Sequence, residues 1–192
     1  MKPLLRERGL TLIELMISLA VLGVTLALAG PSFEQAINGN RLSSAAGEVI
    51  GALQLARSEA VRNNRRVVLC RSDDGSACSA TNASWAGWIV FVDTDSDGVR
   101  DSTEPVVKAG TIANNLKLLP SAAVVGLSQS ITFRADGTAR NAAGQLVNGS
   151  LAVCLPTTRP AENVRHISLA FGSRTAVRRR DAGGSCSAPT DA

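Results

Sequence analysis

The pattern of hydrophobic and polar positions divides the chain into three stretches. The first is an almost uninterrupted run of apolar residues. Charged residues stop at Arg8, and from Leu10 to Gly30 the chain is mostly apolar, with Glu14 as its one ionisable residue. As a helix rising 1.5 Å per residue, this run covers roughly 30 Å, about the hydrocarbon thickness of a bilayer. We therefore expect a membrane-spanning helical segment at residues 10–31.

A cleaved secretory signal and an ordinary signal anchor are the alternatives for this segment. A secretory signal ends in a small-residue cleavage site after its apolar core, whereas Gly9 precedes the run. The cations Lys2, Arg6 and Arg8 predict a cytoplasmic N-terminus and a C-terminal domain on the far side. The carboxylate of Glu14 is costly in lipid and needs a partner there, although an ordinary anchor can tolerate an acid near its end.

The second stretch has the periodicity of an amphipathic helix. Beyond Pro31, apolar residues recur at alternating intervals of four and three, which places them on one helical face. They are Leu42, Ala46, Val49, Leu53, Ala56 and Ala60. Asn63 and Asn64 suit a helix end, and Pro31 lacks a backbone donor and predicts a bend. The sequence thus predicts a helix to about residue 64 that packs one stripe on a sheet.

The third stretch consists of short β-rich runs separated by turn signals such as Asp97-Gly98 and Asn148-Gly149. The predicted strands are Arg66 to Arg71, Trp88 to Asp93, Val106 to Ile112, Ile131 to Arg134, Leu151 to Leu155 and Val164 to Phe171. The sequence therefore predicts an α+β fold. Residues 32–192 form one globular domain in which a helix packs on an antiparallel sheet system around a single core.

The distribution of charge along the chain is more informative than the net charge. The formal net charge of +4 falls to +2 without residues 1–9, which carry three cations and one acid. Acids concentrate in residues 73–104, and arginines concentrate near the C-terminal end. The arginines are Arg159, Arg165, Arg174, Arg178, Arg179 and Arg180.

Alternation along a strand would place Arg174, Arg178 and Arg180 on one face, where they suit successive phosphates, with Arg179 on the other. The chain has no Tyr and few other aromatic residues, so any DNA binding should be nonspecific and salt-sensitive. A tight turn at residues 172–173 would instead set Arg174 and Arg178 beside an apolar face, unless the turn comes later. A solvated edge that discourages strand pairing and a partner for a neighbouring subunit's acidic loop are the other interpretations.

Four cysteines in a domain outside the cytoplasm indicate two disulfides. Three connectivities are open, and nearness in sequence favours Cys70 with Cys78 and Cys154 with Cys186. A zinc site is disfavoured, because the chain has no Cys-x-x-Cys pair and a single histidine, His166.

Residues 93–104 have the spacing of a calcium-binding loop, with alternating acids, a central glycine and a final glutamate. The candidate ligands are Asp93, Asp95, Asp97, the carbonyl of Val99, and Glu104. However, a strand precedes this segment, and Arg100 stands where such loops usually pack an apolar residue. A solvated acidic turn without metal is the default interpretation.

The segment Arg-Gly-Leu-Thr-Leu-Ile-Glu-Leu-Met-Ile-Ser-Leu, residues 8–19, resembles the class III leader of type IV pilins and type II secretion pseudopilins. The resemblance implies that a prepilin peptidase removes residues 1–9 after Gly9 and methylates the new N-terminal residue, Leu10. It assigns the family's assembly glutamate to Glu14 and its helix-kinking proline to Pro31. In a stack of such helices, the amine of a neighbouring Leu10 can neutralise a buried Glu14.

Residues 57–70 and 88–93 resemble the GspH/FimT branch of pseudopilins and minor pilins, more than they resemble major pilins. That resemblance implies a long N-terminal helix on β-sheets and a minor or tip subunit that assembles with other pilins or pseudopilins. The protein would first sit in the inner membrane with a periplasmic domain. In FimT-type minor pilins a C-terminal Gly-Arg-x-Arg hairpin contacts DNA during natural transformation, and residues 171–180 match this motif in part. The resemblance makes four arginines the candidates for DNA binding: Arg174, Arg178, Arg179 and Arg180.

Catalysis is not expected. His166 lies in an alternating strand, and no nucleophile, base and orienting group can be assembled from the sequence. The resemblance favours a minor pilin of a type IV pilus without a cofactor, and a pseudopilin of a type II secretion system is the alternative.

Overall fold

The computed structural model describes residues 11–81 and 83–192, excluding the side chains of residues 26–31. Its longest element is the helix α1 (Leu12–Asn63). The helix begins after Thr11, whose hydroxyl accepts a hydrogen bond from the backbone N–H of Glu14 at 3.3 Å. It ends at Asn64, a left-handed residue with φ of 50° that closes the last turn. The predicted helix end near residue 64 is confirmed.

The described residues form eight strands in two four-stranded antiparallel sheets. The first sheet has the order β3 (Val106–Thr111), β2 (Gly87–Asp93), β1 (Arg66–Ser72) and β5 (Ser130–Phe133). The second has the order β4 (Lys117–Pro120), β6 (Gly149–Cys154), β7 (Val164–Ala170) and β8 (Arg174–Arg180). The short helix α2 (Ala122–Val125) connects β4 to β5.

The core lies between α1 and one face of each sheet. All six residues of the predicted helical stripe are buried, and they join inward side chains of both sheets in one cluster. At its edge, the indole N–H of Trp85 donates to the Gln129 side-chain oxygen at 2.8 Å. The predicted packing of this stripe is therefore confirmed.

The connection between β7 and β8 is a three-residue turn at residues 171–173. Phe171 and Gly172 both have positive φ, 51° and 67°. A Cβ at position 172 would lie 2.6 Å from the Ala139 carbonyl oxygen, so glycine is needed there. The tight turn at residues 172–173 is therefore wrong, because the register pairs Arg174 with Ala170 instead of Phe171.

Two disulfides join Cys70 to Cys78 and Cys154 to Cys186. These are the pairs that nearness in sequence favours. The second bond holds residues 181–192 across the outer face of β6 and β7, where the tail packs on Ala152 and Val164. The tail therefore covers part of the second sheet and leaves β8 at its edge.

The domain has two distinct ends along the axis of α1. We call the end where the β6–β7 loop meets residues 34–38 of α1 the proximal end. Here the side-chain amide of Asn38 donates to the Arg159 carbonyl at 2.8 Å. We call the end where α1 stops the distal end, because Arg57 there donates to the Ser173 carbonyl in the β7–β8 turn at 3.3 Å. Strand β8 runs from the distal end at Arg174 to the proximal end at Arg180.

Candidate functional site

The N-terminal part of α1 presents an uncovered apolar surface. Nine large apolar side chains there are between 52% and 77% exposed. They are Leu12, Ile13, Leu15, Met16, Ile17, Leu19, Val21, Leu22 and Val24. Glu14 is exposed among them. Such a continuous apolar surface indicates a place where another molecule packs.

Three predicted functional positions of this region lie partly or wholly outside the described residues. Gly9 and Leu10 precede them, and the side chain of Pro31 is not among them, although α1 continues through position 31. Within the described residues, no helical stretch combines the length and the hydropathy required to cross a bilayer.

The arginines of β8 form the most basic strand of the domain. Arg174, Arg178 and Arg180 are exposed and share one face, which we call the β8 arginine face. On this face Arg178 and Arg180 are roughly 7 Å apart along the strand, and Arg174 lies roughly 14 Å before Arg178, so the three guanidinium groups form a row. This row can contact an extended polyanion along the edge of the second sheet.

Arg179 points to the opposite face of β8, as alternation predicts. Its cross-strand neighbour is Arg165, and its guanidinium lies 3.8 Å from the Glu162 carboxylate. Arg165 is buried and donates to the carbonyls of Glu162 and Val164. Burial, and next the charge of Arg179, lower the pKa of the Arg165 guanidinium, while Glu162 raises it. The like charges are thus only partly balanced.

The acidic loop after β2 brings three of the predicted calcium ligands together. Carboxylate oxygens of Asp93, Asp95 and Asp97 lie within 4.8 Å of one another. Each accepts backbone hydrogen bonds from its own loop: Asp93 from Ser96 and Gly98, Asp95 from Asp97, and Asp97 from Val99. These bonds build an Asx-type turn from the chain's own donors.

Glu104 is not a member of this group. It is buried, and its carboxylate accepts hydrogen bonds from the backbone and hydroxyl of Thr94 and from the backbone of Asp101. Burial is the main cause that raises the pKa of Asp93, and the charge of Glu104 adds to it. The arrangement is that of a structured acidic turn in which Glu104 closes the loop.

A second group of arginines lies at the distal end. Arg66, Arg134 and Arg140 line a cavity of about 400 Å³ beside the acidic loop. Arg66 donates to the Ser96 carbonyl at 2.7 Å, and Arg140 lies 3.6 Å from the Asp136 carboxylate. Sequence patterning did not single them out, because they lie on separate segments that only the fold brings together.

His166 has a structural position. It is buried on the outer face of β7, and its Nε2 lies 3.3 Å from the Thr190 carbonyl of the C-terminal tail. The register places Arg178 opposite it on β8. The histidine thus helps to hold the tail. It lies on β7 in the second sheet, whereas the acidic loop follows β2 in the first sheet.

Comparisons with known proteins agree with the leader and the fold. A model of the prokaryotic N-terminal methylation motif matches residues 4–30, and the model described as type II transport protein GspH matches residues 45–173. No curated protein matches the chain.

Two solved structures resemble the domain. The type IV minor pilin FimU of Pseudomonas aeruginosa (strain PAO1) superposes with a TM-score of 0.51 at 24% identity, over 72% of this chain and 89% of FimU. The minor pseudopilin EpsH from the type 2 secretion system of Vibrio cholerae superposes with a TM-score of 0.49 at 10% identity, over 72% and 97%. FimU shares the fold of a long helix on antiparallel sheets. Because the GspH model covers well over half of the sequence, the chain belongs to the GspH family and is a minor pilin or pseudopilin.

Proposed function

We propose that the chain is a minor pilin of a type IV pilus, incorporated at or near the filament tip. The observation that carries this proposal is the exposed apolar half of α1, which requires a covering of lipid or of neighbouring helices. The compact domain behind it has its own buried core. A subunit that moves from membrane to filament needs this combination of parts.

The N-terminal residues have proposed roles in this pathway. A prepilin peptidase cuts after Gly9 and methylates Leu10, and residues 10–31 anchor the chain in the inner membrane with a periplasmic domain. In the filament, Glu14 is neutralised by the amine of a neighbouring subunit. The match to the methylation motif over residues 4–30 supports this processing.

We further propose that the β8 arginine face binds DNA nonspecifically through the phosphate backbone. Its support is the exposure of three guanidinium groups on one face of an edge strand. Arg179 is excluded from this face by the register, although it was one of the four candidates. Backbone contacts of this kind supply affinity without sequence preference.

A mobility-shift experiment with the detergent-solubilised full chain and a mixed-sequence DNA duplex tests the DNA proposal. The combined change Arg174→Ala, Arg178→Ala and Arg180→Ala should abolish most of the binding. If three phosphate contacts are lost, the slope of log K against log salt should fall by about 2.7 in magnitude.

Arg179→Ala is the matched control, since it removes one positive charge from the same strand on the opposite face. We expect it to change affinity much less than the triple variant. Unchanged affinity in the triple variant, or an equal loss in the control, would contradict the proposal.

A pseudopilin of a type II secretion system is the second candidate, favoured by the description of the matching family model. The two machines would place the same subunit in different assemblies. Neighbouring genes discriminate between them: minor pilin genes support the pilus, and general secretion genes support the secretion system.

A further inference from the structure

We propose that the proximal end of the domain contacts the headgroups of an anionic phospholipid bilayer through Arg159 and Arg179. The inference rests on the proposed anchoring of residues 10–31 in a membrane. It adds a second contact between protein and bilayer, made by the globular domain itself before the subunit joins a filament.

The position of Arg159 relative to the proposed bilayer follows from its contact with α1. Its guanidinium lies 3.4 Å from the carboxylate of Glu34. Glu34 is three residues beyond Pro31, which corresponds to about 4.5 Å of helical rise. The headgroup layer on each side of a bilayer is roughly 5–8 Å thick. Arg159 therefore reaches the level of the lipid phosphates when residues up to 31 lie in the hydrocarbon.

The proximal end carries an excess of positive charge. One row across the second sheet joins Lys117, Cys154, Val164 and Arg180, so a cation stands at each edge of the row. Arg159 in the β6–β7 loop, Arg165 near the start of β7 and Arg179 near the end of β8 add three more cations. Among the described residues, the side-chain carboxylates at this end are those of Glu34, Glu162 and Asp181. Five cations thus face three acids.

The two contact arginines remain available to lipid. Arg159 and Glu34 are 58% and 51% exposed, and Arg179 and Glu162 are 65% and 55% exposed. Exposed pairs at separations of 3.4 and 3.8 Å hold their partners weakly, so a headgroup phosphate can compete for either guanidinium.

Arg165 strengthens the attraction without touching lipid. It is only 4% exposed, it donates to the backbone carbonyls of Glu162 and Val164, and its Nε has no hydrogen-bond partner within the described part of the chain. Its charge lies directly opposite Arg179, and the two arginines share the Glu162 carboxylate, which lies 3.8 Å from the Arg179 guanidinium. An anion at the proximal end would balance this pair of like charges.

The occupant is a bilayer because of where these groups lie. The apolar half of α1 leaves the domain at the same end. Cations near an anionic membrane surface each contribute about a five-fold gain in binding at low salt, and the effect decays within a Debye length. DNA bound along the β8 arginine face would not require either Arg159 or Arg179.

The test places the full chain in nanodiscs of phosphatidylcholine, alone or with phosphatidylglycerol. Amide hydrogen exchange of residues 155–163 should slow about five-fold or more when phosphatidylglycerol is present, and high salt should remove the difference. The double variant Arg159→Ala with Arg179→Ala should lose this dependence, whereas Glu34→Gln should enhance it by removing a competing carboxylate.

Arg174→Ala is the matched control, because it removes an exposed arginine from the distal end. Its dependence on phosphatidylglycerol should equal that of the unchanged chain, and exchange in β1 and β2 should be the same in every variant. Two results would overturn the inference while leaving the proposed anchoring untouched. One is loss of the phosphatidylglycerol dependence in the Arg174→Ala control, and the other is no such dependence in an unchanged chain that has inserted into the nanodisc. A chain that fails to insert overturns the proposed anchoring as well.

Discussion

At the scale of single residues, Gly110 and Trp88 form a sterically dependent pair, because the indole ring of Trp88 packs where a side chain at position 110 would lie. The two lie opposite one another on β3 and β2. A Cβ at position 110 would lie 2.3 Å from Cζ2 of Trp88, whose side chain is buried. The indole therefore occupies the space that any larger residue at position 110 would need.

Gly110→Ala should lower the free energy of unfolding by about 1–3 kcal/mol, because the buried ring must move. Urea unfolding of the purified chain measures this change. Gly47→Ala is the control: it lies within α1, where an added Cβ meets nothing within 4 Å, and should raise stability by about 0.5–1 kcal/mol. Equal effects of both changes would contradict the clash, as would a failure of Trp88→Leu to relieve the Gly110→Ala variant.

At the scale of elements, the two disulfides constrain segments of different length. Cys70 and Cys78 are separated by 8 positions, and Cys154 and Cys186 by 32. A crosslink that closes a longer loop removes more entropy from the unfolded chain. The second bond also holds a tail that has no strand of its own.

Replacing Cys154 and Cys186 together by Ala should therefore cost about 1 kcal/mol more than replacing Cys70 and Cys78. Denaturant unfolding of the two double variants gives the difference. Hydrogen exchange of residues 181–192 should increase in the first variant only. A larger cost for the shorter loop would show that strain or packing outweighs chain entropy.

Local pattern was sufficient for the elements that carry their own hydrophobic signal. The stripe through Leu42 and Ala60, the end of α1 at Asn63 and the six predicted strands appear with bounds shifted by at most two residues. Strand β8 was predicted only through the alternation of its arginines. The strand β4 was missed because it is short and ends in Pro120. The helix α2 was missed because four residues carry no periodicity.

Most contacts in the candidate sites join residues that are distant in the sequence, so local patterns could not predict them. Alternation along a strand predicts which arginines share the β8 arginine face. Where the strand begins and how its turn is built had to come from the structure. The contact between Arg159 and Glu34 joins residues 125 positions apart, which no local pattern contains. The same holds for Arg66, Arg134 and Arg140, which meet only because β1 and β5 are neighbours in the first sheet.

At the scale of the whole molecule, the apolar half of α1 and the packed domain have separable requirements. The exposed part of the helix contributes little to the domain core, whose α1 residues lie between Leu42 and Ala60. Changes at the N-terminal end should therefore alter assembly while leaving the fold intact.

Glu14→Gln should leave the domain folded and the helix start intact, because Thr11 caps the backbone of residue 14 rather than its carboxylate. Incorporation into filaments should fall strongly, since the variant lacks the charge proposed to pair with a neighbouring amine. Immunoblots of sheared filaments measure this loss. Glu48→Gln, at an exposed position of the same helix, is the control, and equal incorporation of both variants would argue against a special role for Glu14.

With the domain exported as proposed, the position of Cys186 also sets an order of events during translocation. This residue follows β8, so it leaves the membrane after all of the described helices and strands. The Cys70–Cys78 bond can close while most of the domain is still inside, whereas the Cys154–Cys186 bond must wait until Cys186 itself has crossed the membrane. Oxidation of Cys154 with Cys186 would thus mark a subunit whose eight described strands have all been exported, and thiol labelling of pulse-chased cells can follow this mark in time.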